Sequence, residues 1–353
     1  MTAVQTLEAG DRVPPICGAY ADGGFFSIED FVGRTLILLV GDQTGAEVQK
    51  QWLAAFALAA DQLAAVDASA SMLLSMGAPA MMAHINPPTP LLAIAQPSGD
   101  LGLFGGRDNA PDVLVIDRNS RIARRISADQ PQEALAEAVE VARRLMTPPS
   151  QRRFSAAPVL IVPNLLSPET RAALIETFEN GAHEEGAMAS IDADGNAAVK
   201  LEAGKKHRRD LVLTPDHDLH AVVIQALSER LLPEIKRAYQ IDIAHADRIL
   251  VVRYDETGGY FHRHRDNTAP QVAFRQFAVS LNLNTGDYEG GDLEFPEYDN
   301  DHYSPPAGAA VVFSASLMHA ARPVTRGARY VLLTFLHDNQ AEAVRQAYLA
   351  QVA

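Results

Sequence analysis

In the run His264-Arg265-Asp266, with His319 far downstream, the chain carries two imidazoles and a carboxylate that are useful only if the fold gathers them. On an extended strand residues two apart point to the same side, so His264 and Asp266 face one way and Arg265 the other. His319 then has to arrive on a distant strand. Two histidines and one carboxylate on a single face can hold one Fe(II) and leave three coordination positions open. Arg329 stands ten residues after His319, at the head of the apolar run Tyr330–Leu336. A buried arginine there is an always-charged fork suited to a dicarboxylic acid. Metal donors with a carboxylate clamp point to an oxygenase that consumes 2-oxoglutarate.

Other residues compete for these roles. The chain has 11 histidines, and His262 shares the strand face of His264 and Asp266. His302 is a rival for the distal position, but no arginine follows it at a matching offset before a strand, and it reads as a loop residue. Arg322 and Arg326 lie near Arg329. Arg326 precedes Gly327 in what reads as a turn, and both arginines suit a solvated loop better than a clamp.

The flanking residues carry a wider pattern: RILVVRYDETGGYFHRHRDN, then FAVSLNLN, then YEGGDLEFPE, then FSASLMHAARPVTRGARYVLLTFL. Over Arg248–Leu336 this resembles the prolyl-4-hydroxylase-like branch of the Fe(II)/2-oxoglutarate dioxygenases. The resemblance implies a double-stranded β-helix, a jelly roll with buttressing helices and the metal at its mouth. Carried over by motif, His264, Asp266 and His319 look like the iron ligands and Arg329 like the partner of the distal carboxylate of 2-oxoglutarate. Tyr254 stands where the family has a tyrosine near the co-substrate. Ser280 and Asn282, alternating with Val279 and Leu281, would face the same cavity. Tyr260, His262 and Arg275 are the substrate-contact candidates. Fe(II), 2-oxoglutarate and O₂ are the implied reactants, succinate and CO₂ the implied co-products, and ascorbate an accessory reductant. The substrate would be peptidyl and prolyl-like, or a small molecule.

Composition narrows the class. A chain of 353 residues with 47% apolar content suggests two packed domains. The single cysteine, Cys17, excludes an intramolecular disulfide and a cysteine-based zinc cluster. MTAVQTLEAGDR has neither the basic start nor the apolar centre of a signal peptide, and the longest apolar run, Leu36–Val40 with its neighbours, is too short to cross a bilayer. The expectation is a cytoplasmic protein with no membrane partner. A formal charge of −14 argues against general nucleic-acid binding, which needs a basic stripe. The local basic run Lys205–Arg209 could still serve a nucleic acid, but a patch of this kind is more often a solvated loop. The segment Gly181–Lys206 is polar and long enough either for a lid over the barrel mouth or for a disordered insertion.

Prolines, serine and charges in TPPSQRRFSAAP interrupt two periodic regions. The boundaries read from this are a domain over 1–147, a linker over 148–157, an oxygenase domain over 158–340 and a helix or tail over 341–353. A helix is expected over Pro131–Leu145 before the linker, and a strand in VLIV and a helix opening at Ser167-Pro168 after it. Asp218–Tyr239 reads as one more amphipathic helix.

The first half has its own pattern: AGDRVPPI, then GGFFSIEDFVGRTLILLVGD, then the amphipathic stretch Ala46–Leu63, then APDVLVIDRNSRIARRI. These resemble a redoxin domain of the peroxiredoxin and thioredoxin superfamily, which implies an α/β thioredoxin-like fold with strands over Thr35–Val40 and Val113–Asp117. Pro111 stands where that superfamily has a cis-proline, and it reads almost as well as an ordinary strand-initiating proline. The reactive cysteine of a redoxin belongs in the segment that here reads Gly41-Asp42-Gln43-Thr44-Gly45-Ala46, which has no thiol. Cys17 lies too early to replace it. A module without its redox chemistry is left for docking, for a homodimer or for stability. Two other classes stay open: a thiol-dependent redoxin acting through Cys17, and a non-catalytic interaction protein.

Overall fold

The computed structural model describes residues 6–14, 16–19, 25–41, 46–74, 91–94, 111–127, 130–146, 155–191, 197–200, 206–257 and 259–352. The chain divides into two compact units, Met1–Gln151 and Arg152–Ala353.

The first unit is built on a five-stranded mixed sheet. Its strands lie in the order Leu91–Ile94, Ala68–Leu74, Thr35–Gly41, Asp112–Ile116, Ile122–Ser127. The first two pairings are parallel and the last two antiparallel. Leu36–Val40 is unbroken in its apolar character because both faces of the strand are covered. On one side Ile37 and Leu39 pack with Trp52 and Phe56 of helix Ala46–Ala65 and with Leu135 and Ala138 of helix Pro131–Leu145. On the other, Leu36, Leu38 and Val40 meet Val13, Ile16 and Ile28. This is the thioredoxin-like sheet that the resemblance implies. Cys17 begins a short strand, Cys17–Ala19, paired with Phe25–Ser27. Residues 42–45, where a redoxin thiol would be sought, fall outside the described residues.

The second unit is a jelly roll of two antiparallel sheets. The larger runs in the order Leu160–Val162, Ala310–Ser314, Phe277–Asn282, Ala328–His337, Leu250–Asp255, Arg209–Val212, Glu184–Glu185, and the smaller in the order Lys206–His207, Tyr260–His264, His319–Ala321, Leu293–Glu294, His302–Tyr303. Strand alternation gives each residue of the larger sheet one of two environments. Val251, Val279, Leu281, Val312, Tyr330 and Leu332 face outward onto the helices, through Leu174, Phe178, Val223 and Ile235. Leu250, Val252, Tyr254, Ala278, Val311 and Val331 face inward, against Leu293 and Phe295 of the smaller sheet.

The helical buttress begins at Pro168–Asn180, where the Ser167 hydroxyl accepts a hydrogen bond from the Thr170 amide as N-cap. The segment expected as one helix over Asp218–Tyr239 is helical throughout, but a π turn at Leu227–Leu231 separates Asp218–Ala226 from Leu232–Tyr239. Pro233 gives the reason. It has no amide to donate, and its ring displaces the preceding turn. His302 departs from the loop expectation, since His302–Tyr303 is a two-residue edge strand paired with Leu293–Glu294. Within Gly181–Lys206, Met188–Ile191 and Ala197–Lys200 pair as a hairpin, while 192–196 and 201–205 fall outside the described residues. The chain continues past 340 in a helix, Asn339–Val352.

Phe178 is fully buried where its helix meets the sheet, with its ring edge-on to Tyr330 and stacked on His183. Phe178→Ala should therefore destabilise the second unit by about 3–5 kcal/mol. In calorimetry one transition should move down in temperature while the transition of the first unit stays in place.

Candidate metal centre

Antiparallel pairing brings the two histidines together. His264 and His319 are register partners between strands Tyr260–His264 and His319–Ala321, and their ring centroids lie 4.2 Å apart. The strand does not continue to Asp266, as simple alternation predicts. Its register shifts between Phe261 and His264, the strand ends at His264, and Asp266 sits in the turn beyond. There its amide donates to the Ala315 carbonyl at 2.9 Å, which brings the carboxylate back under the imidazoles. His264 Nε2 is 3.3 Å from Asp266 Oδ1, and His319 Nε2 is 3.4 Å from Asp266 Oδ2.

Both rings are held from behind in the same way. Nδ1 of His264 lies 2.8 Å from the His262 carbonyl, and Nδ1 of His319 lies 3.0 Å from the Leu317 carbonyl. A carbonyl only accepts, so each Nδ1 carries a proton, and in the neutral ring Nε2 keeps a lone pair directed at the common point. Burial pulls His319 down to about 4, against the attraction of Asp266. Burial also pushes the Asp266 carboxyl up, but His319 and His264 outweigh it and hold it well below the usual carboxylate range. A neutral His319 and an ionised Asp266 are protonation states that a metal requires of its ligands. The donor set, two nitrogens and one carboxylate on one face, fits Fe(II).

Beside these residues lies a cavity of about 360 Å³, walled by Tyr254, Phe261, Ser280, Phe313 and Arg329 among others. Arg329 is 2% exposed. It faces Tyr254 across the strand pair, with its guanidinium 5.5 Å from the tyrosine ring. It donates to Asn282 Oδ1 at 3.0 Å and to Ser280 Oγ at 3.3 Å. Among the described residues no carboxylate pairs with it. Gly291, at φ +72°, leaves the space the arginine needs, because a Cβ there would stand 2.8 Å from Arg329 Cδ. Asn282 also donates to Thr285 and to the Pro305 carbonyl. Its part is to hold the arginine rather than to form the cavity wall.

The remaining candidates have distinct positions. Arg275 reaches the cavity wall but is paired with Asp247 at 2.6 Å and lies over the Phe335 ring at 3.7 Å. Tyr260 and His262 are not part of that wall; their rings pack on each other at 4.4 Å, and His262 is exposed. Arg326 is exposed and paired with Glu289, and Arg322 is exposed and bonded to His302. Arg265 reaches the cavity wall as well and is paired with Glu297.

The basic run corrects the solvated-loop expectation. Lys206 and Arg208 are 5% and 8% exposed and both line the cavity. Arg208 pairs with Asp210 at 2.7 Å and donates to the Tyr254 hydroxyl at 2.9 Å. Period-two alternation was the available signal: Lys206, Arg208 and Asp210 stand at alternate positions, out of phase with Leu211 and Leu213. A second group with metal-binding side chains, His245, His337 and Glu342, is occupied with its own hydrogen bonds. His337 bonds Glu342 at 2.7 Å, Glu342 also takes Arg345 and Gln346, and His245 bonds Asn339, so the group fastens the C-terminal helix.

His319→Ala should abolish Fe(II) binding in anaerobic titration calorimetry while far-ultraviolet circular dichroism stays unchanged. His262→Ala should keep the iron. The opposite pattern would mean that the binding strand is read in the wrong register.

Residues 249–337 match the family profile of the 2OG-Fe(II) oxygenase superfamily. A PKHD-type hydroxylase of Paracoccus denitrificans is 28% identical over 187 residues, covering 49% of this chain and 74% of that protein. One from Nitrobacter winogradskyi is 26% identical over 205 residues, covering 55% and 84%. Among solved structures, a Pseudomonas putida prolyl-4-hydroxylase aligns with 52% of this chain and 94% of its own, at 16% identity and a TM-score of 0.40. A Mycobacterium tuberculosis peroxidoxin covers 40% of this chain and 99% of its own, at 19% identity and a TM-score of 0.35. The second unit carries a 2OG-Fe(II) oxygenase domain, whose family uses Fe(II) and 2-oxoglutarate, and the chain is a 2-oxoglutarate-dependent hydroxylase similar to the PKHD-type enzymes.

Proposed function

We propose that this enzyme hydroxylates a C–H bond of a peptidyl, prolyl-like substrate or of a small molecule, with succinate and CO₂ as co-products. His264, Asp266 and His319 are the iron ligands in this reading, and Arg329 is the partner of the distal carboxylate of 2-oxoglutarate. One observation carries it: three convergent donor groups and a buried arginine with no carboxylate partner among the described residues share one cavity. When bound, Fe(II) and 2-oxoglutarate supply the activation of O₂; the protein supplies position and a sheltered site.

Each protein contribution can be traced to an atom. The carbonyls of His262 and Leu317 fix the ring orientation of the two histidines, and the Ala315 carbonyl fixes the turn that holds Asp266. Asn282 and Ser280 aim the Arg329 fork, and Arg208 holds the Tyr254 hydroxyl beside it. Phe261, Leu293, Phe313 and Phe335 give the cavity apolar walls, which strengthen the attraction between a guanidinium and a carboxylate. We assign the first unit no redox step. Docking or a homodimer is its reading, in a cytoplasmic protein; among the described residues no helix is long and apolar enough to cross a membrane.

The test is anaerobic loading with Fe(II) followed by O₂ and 2-oxoglutarate. Succinate should form slowly without substrate and stoichiometrically with a product that gains one oxygen atom by mass spectrometry. Absence of succinate under all conditions would contradict the reading. Arg329→Ala should raise the apparent KM for 2-oxoglutarate at least about thirtyfold, since a buried charge pair lost on one side costs about 2–5 kcal/mol. Iron binding should persist. An unchanged KM would move the clamp to another arginine.

A further inference from the structure

The charge around the cavity is opposite in sign to that of the chain. The protein carries a formal −14, yet among the described residues seven Lys and Arg side chains line the cavity against one carboxylate, Asp266. Four of the seven are neutralised by acidic neighbours: Arg208 by Asp210, Arg263 by Glu294, Arg265 by Glu297 and Arg275 by Asp247. Lys206, Arg248 and Arg329 remain. Lys206 shares the single carboxylate of Asp210 with Arg208, at 3.8 Å against 2.7 Å for Arg208, so the pair of cations keeps one positive charge in excess. No acidic partner stands beside Arg248 or Arg329 among the described residues.

The proposed reactants account for only one of these three. An iron dication, the 2-oxoglutarate dianion, the Asp266 carboxylate and the Arg329 guanidinium cancel in formal charge. Lys206 and Arg248 are left over. Lys206 is 5% exposed, anchored by one hydrogen bond from Nζ to the Ala187 carbonyl at 2.7 Å, and lies 5.1 Å from the centre of the Phe261 ring that stacks on His264. An ammonium has three donors, so two remain for a ligand. Burial first, then the cations of Arg208 and Arg248, pull Lys206 down to about 7 against the opposing attraction of Asp210 and Asp266. Arg248 and Arg275 line the same cavity as Lys206. Two cations lining one cavity, one of them buried at a cost, are stabilised when an anionic ligand enters that cavity.

We propose that Lys206 and Arg248 form an oxyanion subsite for the substrate, separate from the Arg329 clamp, so that the molecule to be hydroxylated carries a carboxylate or a phosphate near its reacting carbon. This rests on the reading of Arg329 as the 2-oxoglutarate partner. A neutral internal prolyl residue would leave the buried Lys206 without an anion of its own.

The test uses the full-length protein loaded with Mn(II) and saturating 2-oxoglutarate, titrated calorimetrically with sulfate, a stand-in for phosphate, and in a second arm with acetate. At least one anion should bind saturably at one site. Lys206→Met and Arg248→Gln should each weaken it tenfold or more while 2-oxoglutarate still binds. Arg329→Ala should do the reverse, losing 2-oxoglutarate and keeping the anion. Arg248 is exposed, so its variant stays informative if the Lys206 change disturbs folding. Tighter sulfate assigns a phosphorylated substrate and tighter acetate a carboxylic one. The proposal is overturned if neither anion binds, or if binding survives in both variants as an adventitious ion only. Failure of 2-oxoglutarate to bind the unaltered protein would instead remove the co-substrate reading, and the anion titrations would still be read without it.

Discussion

The pairing of His264 with His319 across two antiparallel strands is the constraint on which the site depends. Strand pairing fixes a distance that no local sequence preference can fix, and it does so between residues far apart in the chain. The register shift beside His264 ends the strand early enough for Asp266 to fold back beneath the rings. A continuous strand would carry the aspartate onward along the sheet. The two carbonyls behind the imidazoles then convert proximity into direction, because each ring has only one nitrogen left with which to bind anything.

The same sheet geometry divides labour between the two faces of the larger sheet. Outward residues such as Val279, Leu281 and Leu332 pack against helices and hold the sheet rigid. Inward residues at alternate positions, Tyr254, Ser280 and Arg329, share the cavity. A charged fork placed on a strand whose other face is sealed by a helical layer has little freedom to swing, and Asn282 and Gly291 restrict it further. Burying an unpaired guanidinium is costly, and only a ligand that returns the lost solvation makes the arrangement economical. The excess of positive charge at the cavity extends that argument from Arg329 to the buried Lys206.

The donor residues and the arginine could be read from the chain because their chemistry is carried by residue type and by short offsets. The strands around them were legible for the same reason: Phe277–Asn282 and Ala328–His337 alternate or run apolar as buried strands do. The placement of Lys206 and Arg208 was not. Charged residues alternating with Leu211 and Leu213 look like a strand with one wet face, and sequence alone does not distinguish a solvent face from the polar interior of a barrel. The place of Asp266 in a turn was hidden as well, since a register shift depends on the partner strand. The break at Leu227–Leu231 was signalled by Pro233, although the π geometry was not. In the first unit the apolar strand and its helices were plain, while the lack of a thiol at 41–46 is a fact of sequence that needs no structure.

The most direct measurement is a crystal structure of the full chain with Mn(II) and 2-oxoglutarate, using anomalous scattering to locate the metal. The account predicts one metal bonded to Nε2 of His264, Nε2 of His319 and a carboxylate oxygen of Asp266, with 2-oxoglutarate reaching from it to Arg329. A metal held by His262, or seated at His245, His337 and Glu342 with the first site empty, would contradict it.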